Sequence, residues 1–208
     1  KSLKGSVVVA GQDFKLDIDA LTGVAELNNA KINFKDGVDS VFAPKIVMEY
    51  KKGGLYFDLD KPVYQNKPLD GSKVSIVDLT GSEPTTLKLN LKVNSPLDDE
   101  VQKILKAYHL RIPVFQQSGT AQASISLDVV FKSGETSAVI DVDMQDARLQ
   151  VYKLDLAVQS GHVHYEDGIV SFDNMLLKDK MYGGTAEGSV KLNKQKADIL
   201  VEIDYLNS

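Results

Sequence analysis

Along most of this chain apolar and polar residues alternate with a period of two, and turn residues cut the alternation into strand-sized pieces. Successive side chains of a β-strand point to opposite faces, so each piece has one apolar and one polar face. Val7 and Val9 lead to Gly11, and Phe14, Leu16 and Ile18 then alternate with Lys15, Asp17 and Asp19. Gly23 to Leu27 and Lys31 to Phe34 follow, separated by Asn28-Asn29. Ile46, Met48 and Tyr50 run up to Lys52-Gly53-Gly54, and Leu55, Phe57 and Leu59 continue beyond it. Val74 to Leu79 comes after Asp70-Gly71, and Leu87, Leu89, Leu91 and Val93 make a clean alternating strand. After Gly119, Ala121, Ala123, Ile125, Leu127, Val129 and Phe131 share one face, with Gln122, Ser124, Ser126, Asp128 and Lys132 on the other. A Ser133-Gly134 turn precedes Ala138, Ile140, Val142 and Met144, and Arg148 to Val158 reads as two short strands. Val163 and Tyr165 reach Asp167-Gly168, a tight-hairpin signal. Ile169 to Phe172, Met175 to Leu177, Gly184 to Leu192 and Ala197 to Tyr205 complete the series, with Asn193 and Lys194 as the last turn. Strands at short, regular spacing predict an antiparallel meander rather than βαβ units.

One stretch changes period. Ser95 before Pro96, with Asp98 three residues on, predicts an N-cap, a proline at the first helical position and a reciprocal cap. Asp98, Asp99 and Glu100 place negative charge in the first turn, where the helix dipole favours it. Leu97, Val101, Ile104, Leu105 and Tyr108 recur at helical spacing, and Pro113 closes the segment. A helix over 95–108 is therefore expected to cover one mouth or edge of the sheet through Val101, Ile104, Leu105 and Tyr108. The pattern predicts a mainly β protein with this one short helix. Residues 1–208 read as one segment, with sub-units 1–94 and 119–208 joined by the helix.

Energetics say that the apolar face needs a cover. Four buried aliphatic side chains stabilise a strand by about 6–12 kcal/mol, at roughly 1.5–3 kcal/mol each. Ordering nine residues costs a comparable amount, about 1–2 kcal/mol per residue. No strand stands alone, and the cover is either a second layer of protein or an apolar ligand.

Composition narrows the function. The 208 residues carry a formal net charge of −5, and Lys and Arg are scattered singly without a basic stripe, which argues against a nucleic-acid partner. There is no cysteine, hence neither disulfide nor thiolate metal site. No apolar run approaches the roughly 20 residues that span a bilayer. The chain opens Lys1-Ser2 rather than with methionine and reads as a segment of a longer protein, so missing targeting signals carry no weight.

The residues that could carry chemistry all have an ordinary structural explanation. His162, His164 and Glu166 share one strand face at a spacing that metal ligands use. Val163 and Tyr165 lie between them, so the same spacing describes the solvated side of an alternating strand. Asp141, Asp143 and Asp146 lack the glycine and spaced ligands of a calcium loop. Gly183-Gly184 with Gly188 is followed by a strand rather than a helix, unlike a phosphate cradle. No nucleophile-elbow sequence surrounds a serine. No catalytic residue, metal or cofactor is assigned, and no enzymatic activity is expected.

The order of the pieces carries a resemblance. An extended Ala43-Pro44 segment is followed by Val77-Asp78-Leu79, by Leu87 to Val93, by Ser95-Pro96-Leu97 opening a helix, and by Gly119-Thr-Ala-Gln-Ala-Ser-Ile-Ser-Leu127. The tail runs Gly161-x-Val-x-Tyr165, Asp167-Gly-Ile169 and Tyr182-Gly-Gly-x-Ala-x-Gly188-x-Val-x-Leu-Asn193. This resembles the AsmA-like superfamily of Gram-negative envelope proteins, in particular its YhdP-type and TamB-like members.

The resemblance implies a curved, groove-like sheet, a taco or open sandwich, in the periplasmic part of an inner-membrane-anchored protein. It implies that phospholipid acyl chains pass along the apolar groove between inner and outer membranes. On this reading Leu87, Leu89, Leu91, Val93, Ile125, Leu127, Val129, Ile140, Val142, Val190, Leu192, Ile199, Val201 and Ile203 line the groove. Phospholipid or another acyl-chain lipid is the expected partner, with the membranes reached through the rest of the parent protein. Two alternatives stand beside it. One is a non-catalytic scaffold or interaction domain assisting outer-membrane assembly. The other is a discrete small-ligand carrier, which needs a closed cup.

Overall fold

The computed structural model describes residues 3–6, 21–33, 36–81, 83–107, 114–151, 153–194 and 196–207. The alternation expected over Val7, Val9, Phe14, Leu16 and Ile18 lies outside the described residues, as does Tyr108. The strands are β1 (Leu3–Ser6), β2 (Thr22–Ile32), β3 (Val41–Lys51), β4 (Gly54–Asp60), β5 (Val63–Tyr64), β6 (Lys67–Pro68), β7 (Lys73–Val77) and β8 (Thr86–Asn94). Helix α1 (Asp99–Ala107) follows, then β9 (Val114–Val130), β10 (Thr136–Val151), β11 (Leu154–Glu166), β12 (Ile169–Lys178), β13 (Tyr182–Lys191) and β14 (Lys196–Leu206). The strands hydrogen-bond in the order β1-β2-β3-β4-β7-β8-β9-β10-β11-β12-β13-β14, with β5 and β6 as a side hairpin on β3. The path ends at β1 and β14, so the sheet is open. Among the described residues the architecture is therefore a mainly β antiparallel meander with one short helix, as the period-two pattern predicts.

Three strand readings differ from expectation. Gly23 to Leu27 and the piece that begins at Lys31 are not separate: β2 runs unbroken over Thr22–Ile32, through Asn28-Asn29, with Asn29 taking a φ of 52° inside the strand. Arg148 to Val158 is not two short strands but the end of the long β10 and the start of β11. Ile169 to Phe172 and Met175 to Leu177 are one strand, β12. A register shift between Phe172 and Met175, with Asn174 at φ 48°, bulges the strand without ending it.

By contact density the chain divides into two compact units. The first comprises Lys1–Phe34, Asp39–Leu91 and Ser126–Ser137. Its register lines up Ala25, Met48, Phe57, Val74 and Leu89 across five neighbouring strands, and Tyr50, Leu55, Ile76 and Leu87 across four. The opposite face carries ion pairs, Lys45 with Glu26 at 3.1 Å, Lys51 with Glu49 at 2.6 Å and Lys88 with Asp128 at 2.5 Å. Lys52-Gly53 and Gln65-Asn66 both have positive φ at both residues, the requirement of a two-residue hairpin turn that matches strand twist. Pro44 lies inside β3 where the β2–β3 ladder skips from Asn28↔Lys45 to Ala30↔Ala43, so its missing N–H interrupts no bond.

The second unit comprises Lys35–Val38, Lys92–Ile125 and Ala138–Ser208. Here the register aligns Val142, Val163, Phe172, Gly188 and Ile199 in one row, and Ala147, Val158, Leu177, Gly184 and Ile203 in another. Ala121, Met144, Ala147, Leu149, Val158, Met175, Leu177 and Ala186 form its buried cluster. Gly119, at φ 90°, lies so close to the Asp146 backbone on β10 that no side chain fits between them.

Helix α1 belongs to this unit and begins later than its sequence suggests. The cap is Asp98, not Ser95: Asp98 Oδ1 accepts hydrogen bonds from the backbone N–H groups of Glu100 at 3.2 Å and Val101 at 3.1 Å. Ser95 donates its N–H to the carbonyl of Ala121 on β9 at 3.1 Å, which holds it in the strand connection and out of the helix. Asp99 and Glu100 occupy the first turn, as expected. Two buried glutamines stitch the helix and the residues leading into it to β9. Gln102 Nε2 donates to Val114 O at 2.6 Å, and Gln116 Oε1 accepts from Leu97 N at 3.0 Å. Val101 and Leu105 are buried and Ile104 is half-buried.

Candidate functional site

The candidate site is the apolar face of each unit, because strand alternation puts nearly all charge on the other side. The residues expected to line a lipid path share this face but differ in cover. Leu89, Leu127 and Ile140 are only 3%, 2% and 4% exposed, and Ile125 is buried with them. Leu87, Leu91, Val93, Val129, Val142, Val190 and Leu192 are half-buried. Ile199, Val201 and Ile203 on β14 are open, at 50%, 48% and 62% exposure.

The reason lies in their neighbours on β13. Ile199, Val201 and Ile203 pair with Gly188, Ala186 and Gly184, residues with little or no side chain. A Cβ on Gly184 or Gly188 would collide with the backbone of β14, so glycine permits the close approach of the two strands. β14 consequently presents branched aliphatic side chains beside a shallow strip of small residues. Such a surface offers an apolar contact without a hydrogen-bonding group to compete for it.

The opposite face of the second unit is polar and charged. Arg148 on β10 pairs with Asp179 in the β12–β13 connection at 2.7 Å. The backbone N–H of Met181 and then the Arg148 guanidinium hold the Asp179 carboxyl below its usual range. His164 Nδ1 lies 2.7 Å from Asp141 Oδ1, and His162 Nδ1 lies 2.8 Å from Asp143 Oδ1. The hydrogen bond to Asp141 raises the His164 imidazole above its usual range; desolvation opposes it, and the charge of Asp141 and then Glu166 add to the rise. Among the described residues, no group of three or more His, Cys, Asp or Glu side chains is arranged to hold a metal ion. In the sequence these histidines and aspartates stand in separate segments, and their pairing is not evident there. The pairing follows from the β10–β11 register, which brings Asp141 opposite His164 and Asp143 opposite His162.

The YhdP protein family matches residues 4–205, nearly the whole chain. The chain belongs to the YhdP family. That family is one of AsmA-like cell-envelope proteins and is not known for enzymatic activity. No curated protein and no solved structure matches. In this YhdP-family segment no described helix is long and apolar enough to cross a membrane. Each unit of this YhdP-family segment presents one apolar face, partly covered, and one charged face.

Proposed function

We propose that this segment carries phospholipid acyl chains along its apolar sheet face, in the periplasm, as part of a bridge between inner and outer membranes. The observation that carries the reading is the open strip of Ile199, Val201 and Ile203 beside Gly188, Ala186 and Gly184. Covering a fully exposed aliphatic side chain is worth roughly 1.5–3 kcal/mol, so three half-exposed ones offer an acyl chain a weak, sliding contact rather than a fixed pocket. The envelope family and the open sheet support the same reading.

The test is lipid content. Protein purified without detergent is extracted into organic solvent, and phospholipid per chain is measured for the parent and for Val201→Asp. The reading expects lipid in the parent and a severalfold loss in the variant, with unchanged melting. A lipid-free parent that binds no added phospholipid overturns it.

One observation favours a second reading, a non-catalytic scaffold assisting outer-membrane assembly. Leu89, Leu127 and Ile140 are already covered by protein atoms, as in an ordinary core. On that reading the same extraction yields no lipid from either protein.

A further inference from the structure

The charged face of β10 and β11 holds five titratable side chains in one unbroken run of contacts. Asp143 Oδ1 lies 2.8 Å from His162 Nδ1, and the Nε2 of that ring lies 3.4 Å from Asp141 Oδ1. The same Asp141 oxygen lies 2.7 Å from His164 Nδ1, and His164 Nε2 lies 3.6 Å from Glu166 Oε2. Each imidazole therefore has a carboxylate at both ring nitrogens. A neutral ring has a single N–H and can satisfy only one of them, whereas an imidazolium donates to both.

Among the described register neighbours of the two rings no side chain supplies a positive charge. On β12, Ser171 stands opposite His164 and Asp173 opposite His162. The part of β9 in this unit, residues 114–125, contains no charged residue. The register sets no lysine or arginine opposite either ring. With both rings neutral, Asp141, Asp143, Glu166 and Asp173 face one another as four like charges. With both rings protonated, the patch becomes an alternating ladder of opposite charges.

We propose that Asp143, His162, Asp141, His164 and Glu166 form a proton-operated clasp that tightens the β10–β11 pair on acidification. The clasp is independent of the lipid reading. Its effect is modest and weakens with salt, because all five side chains are partly exposed. The direction follows from His164, whose folded value lies above its ordinary 6.5. A raised imidazole contributes stability that is fully present below the unfolded value and disappears as pH rises through the folded one.

The test compares melting midpoints at low salt, at about pH 5.5 and about pH 8.5, for the parent and the double variant His162→Gln, His164→Gln. Other titrating groups are common to both proteins and cancel. The parent is expected to lose about 2–4 °C more than the variant over this interval, a shift measurable for a domain of this size. The excess should shrink at high salt. NMR titration supplies a second readout: Asp141→Asn should move the His164 titration down, towards the ordinary imidazole range. Equal pH dependence in parent and double variant, or an unmoved His164 in Asp141→Asn, overturns the clasp. So does a pH response abolished by excess chelator, which would assign the cluster to a metal ion instead of protons.

Discussion

The ring of Tyr205 on β14 occupies the space that a side chain on its register partner Gly183, on β13, would need. Its hydroxyl then reaches past the strand end and donates to the carbonyl of Asp179 at 2.7 Å. An aromatic ring laid over a glycine of the adjacent strand shields backbone that glycine leaves bare, and it fixes the register of the pair. β14 has β13 as its one neighbour in the sheet path, so this contact adds to the β13–β14 ladder in holding an otherwise exposed strand.

Gly183→Val should therefore cost about 1–3 kcal/mol, because the added methyl groups must displace the ring. Tyr205→Leu keeps an apolar side chain but loses the hydroxyl bond, a change of about 1 kcal/mol. Urea unfolding measures both. Amide exchange should rise first along β14, and protection equal to the parent in Gly183→Val would show that the ring can move aside freely.

The helix cap gives a second, sharply divided expectation. Asp98→Ala removes the acceptor of two first-turn N–H groups and should destabilise by about 0.5–2 kcal/mol. Ser95→Ala should change stability by less than about 0.5 kcal/mol, since its hydroxyl caps nothing in the helix. Chemical denaturation of the two single variants decides between the caps.

Aliphatic residues of one face should respond differently to a carboxylate. Leu127→Asp buries a charge at a position closed to solvent, costing several kcal/mol or forcing protonation, and should abolish cooperative melting. Ile203→Asp adds the same group where the side chain is open, so melting should shift within about 0.5 kcal/mol while retained phospholipid falls. Asp128→Lys, which opposes Lys88 on the charged face, should cost under about 1 kcal/mol and leave lipid content alone. Folded Ile203→Asp protein with the parent's full lipid content would remove β14 from the proposed lipid path.

Acid should act through Asp179. Its carboxyl is held low by the Met181 N–H and by Arg148, so its contribution is present above the ordinary value of 3.8 and lost as pH falls through the folded value. Asp179→Asn is expected to lower the melting midpoint at neutral pH. Parent and variant curves should converge in strong acid. Parallel curves from neutral to acid pH would show that the pairing adds nothing to stability.

Most of the architecture was legible in the residue order because its causes are local. Alternation assigns Leu127 and Asp128 to opposite faces wherever the strand is regular, and turns such as Lys52-Gly53 and Asp167-Gly168 announce themselves by residues that tolerate positive φ. The single helix was visible for the same reason, in a change of period. Its cap was not, because Ser95 is claimed by the Ala121 carbonyl of a strand far along the chain. Nor could alternation rank the apolar positions: Leu127 and Ile203 read alike in sequence, yet one is 2% and the other 62% exposed. The ladder of Asp141, Asp143, His162 and His164 likewise exists only once β10 and β11 pair. Period and turn chemistry act over a few residues, whereas cover, charge pairing and capping partners depend on which distant strands come to lie side by side.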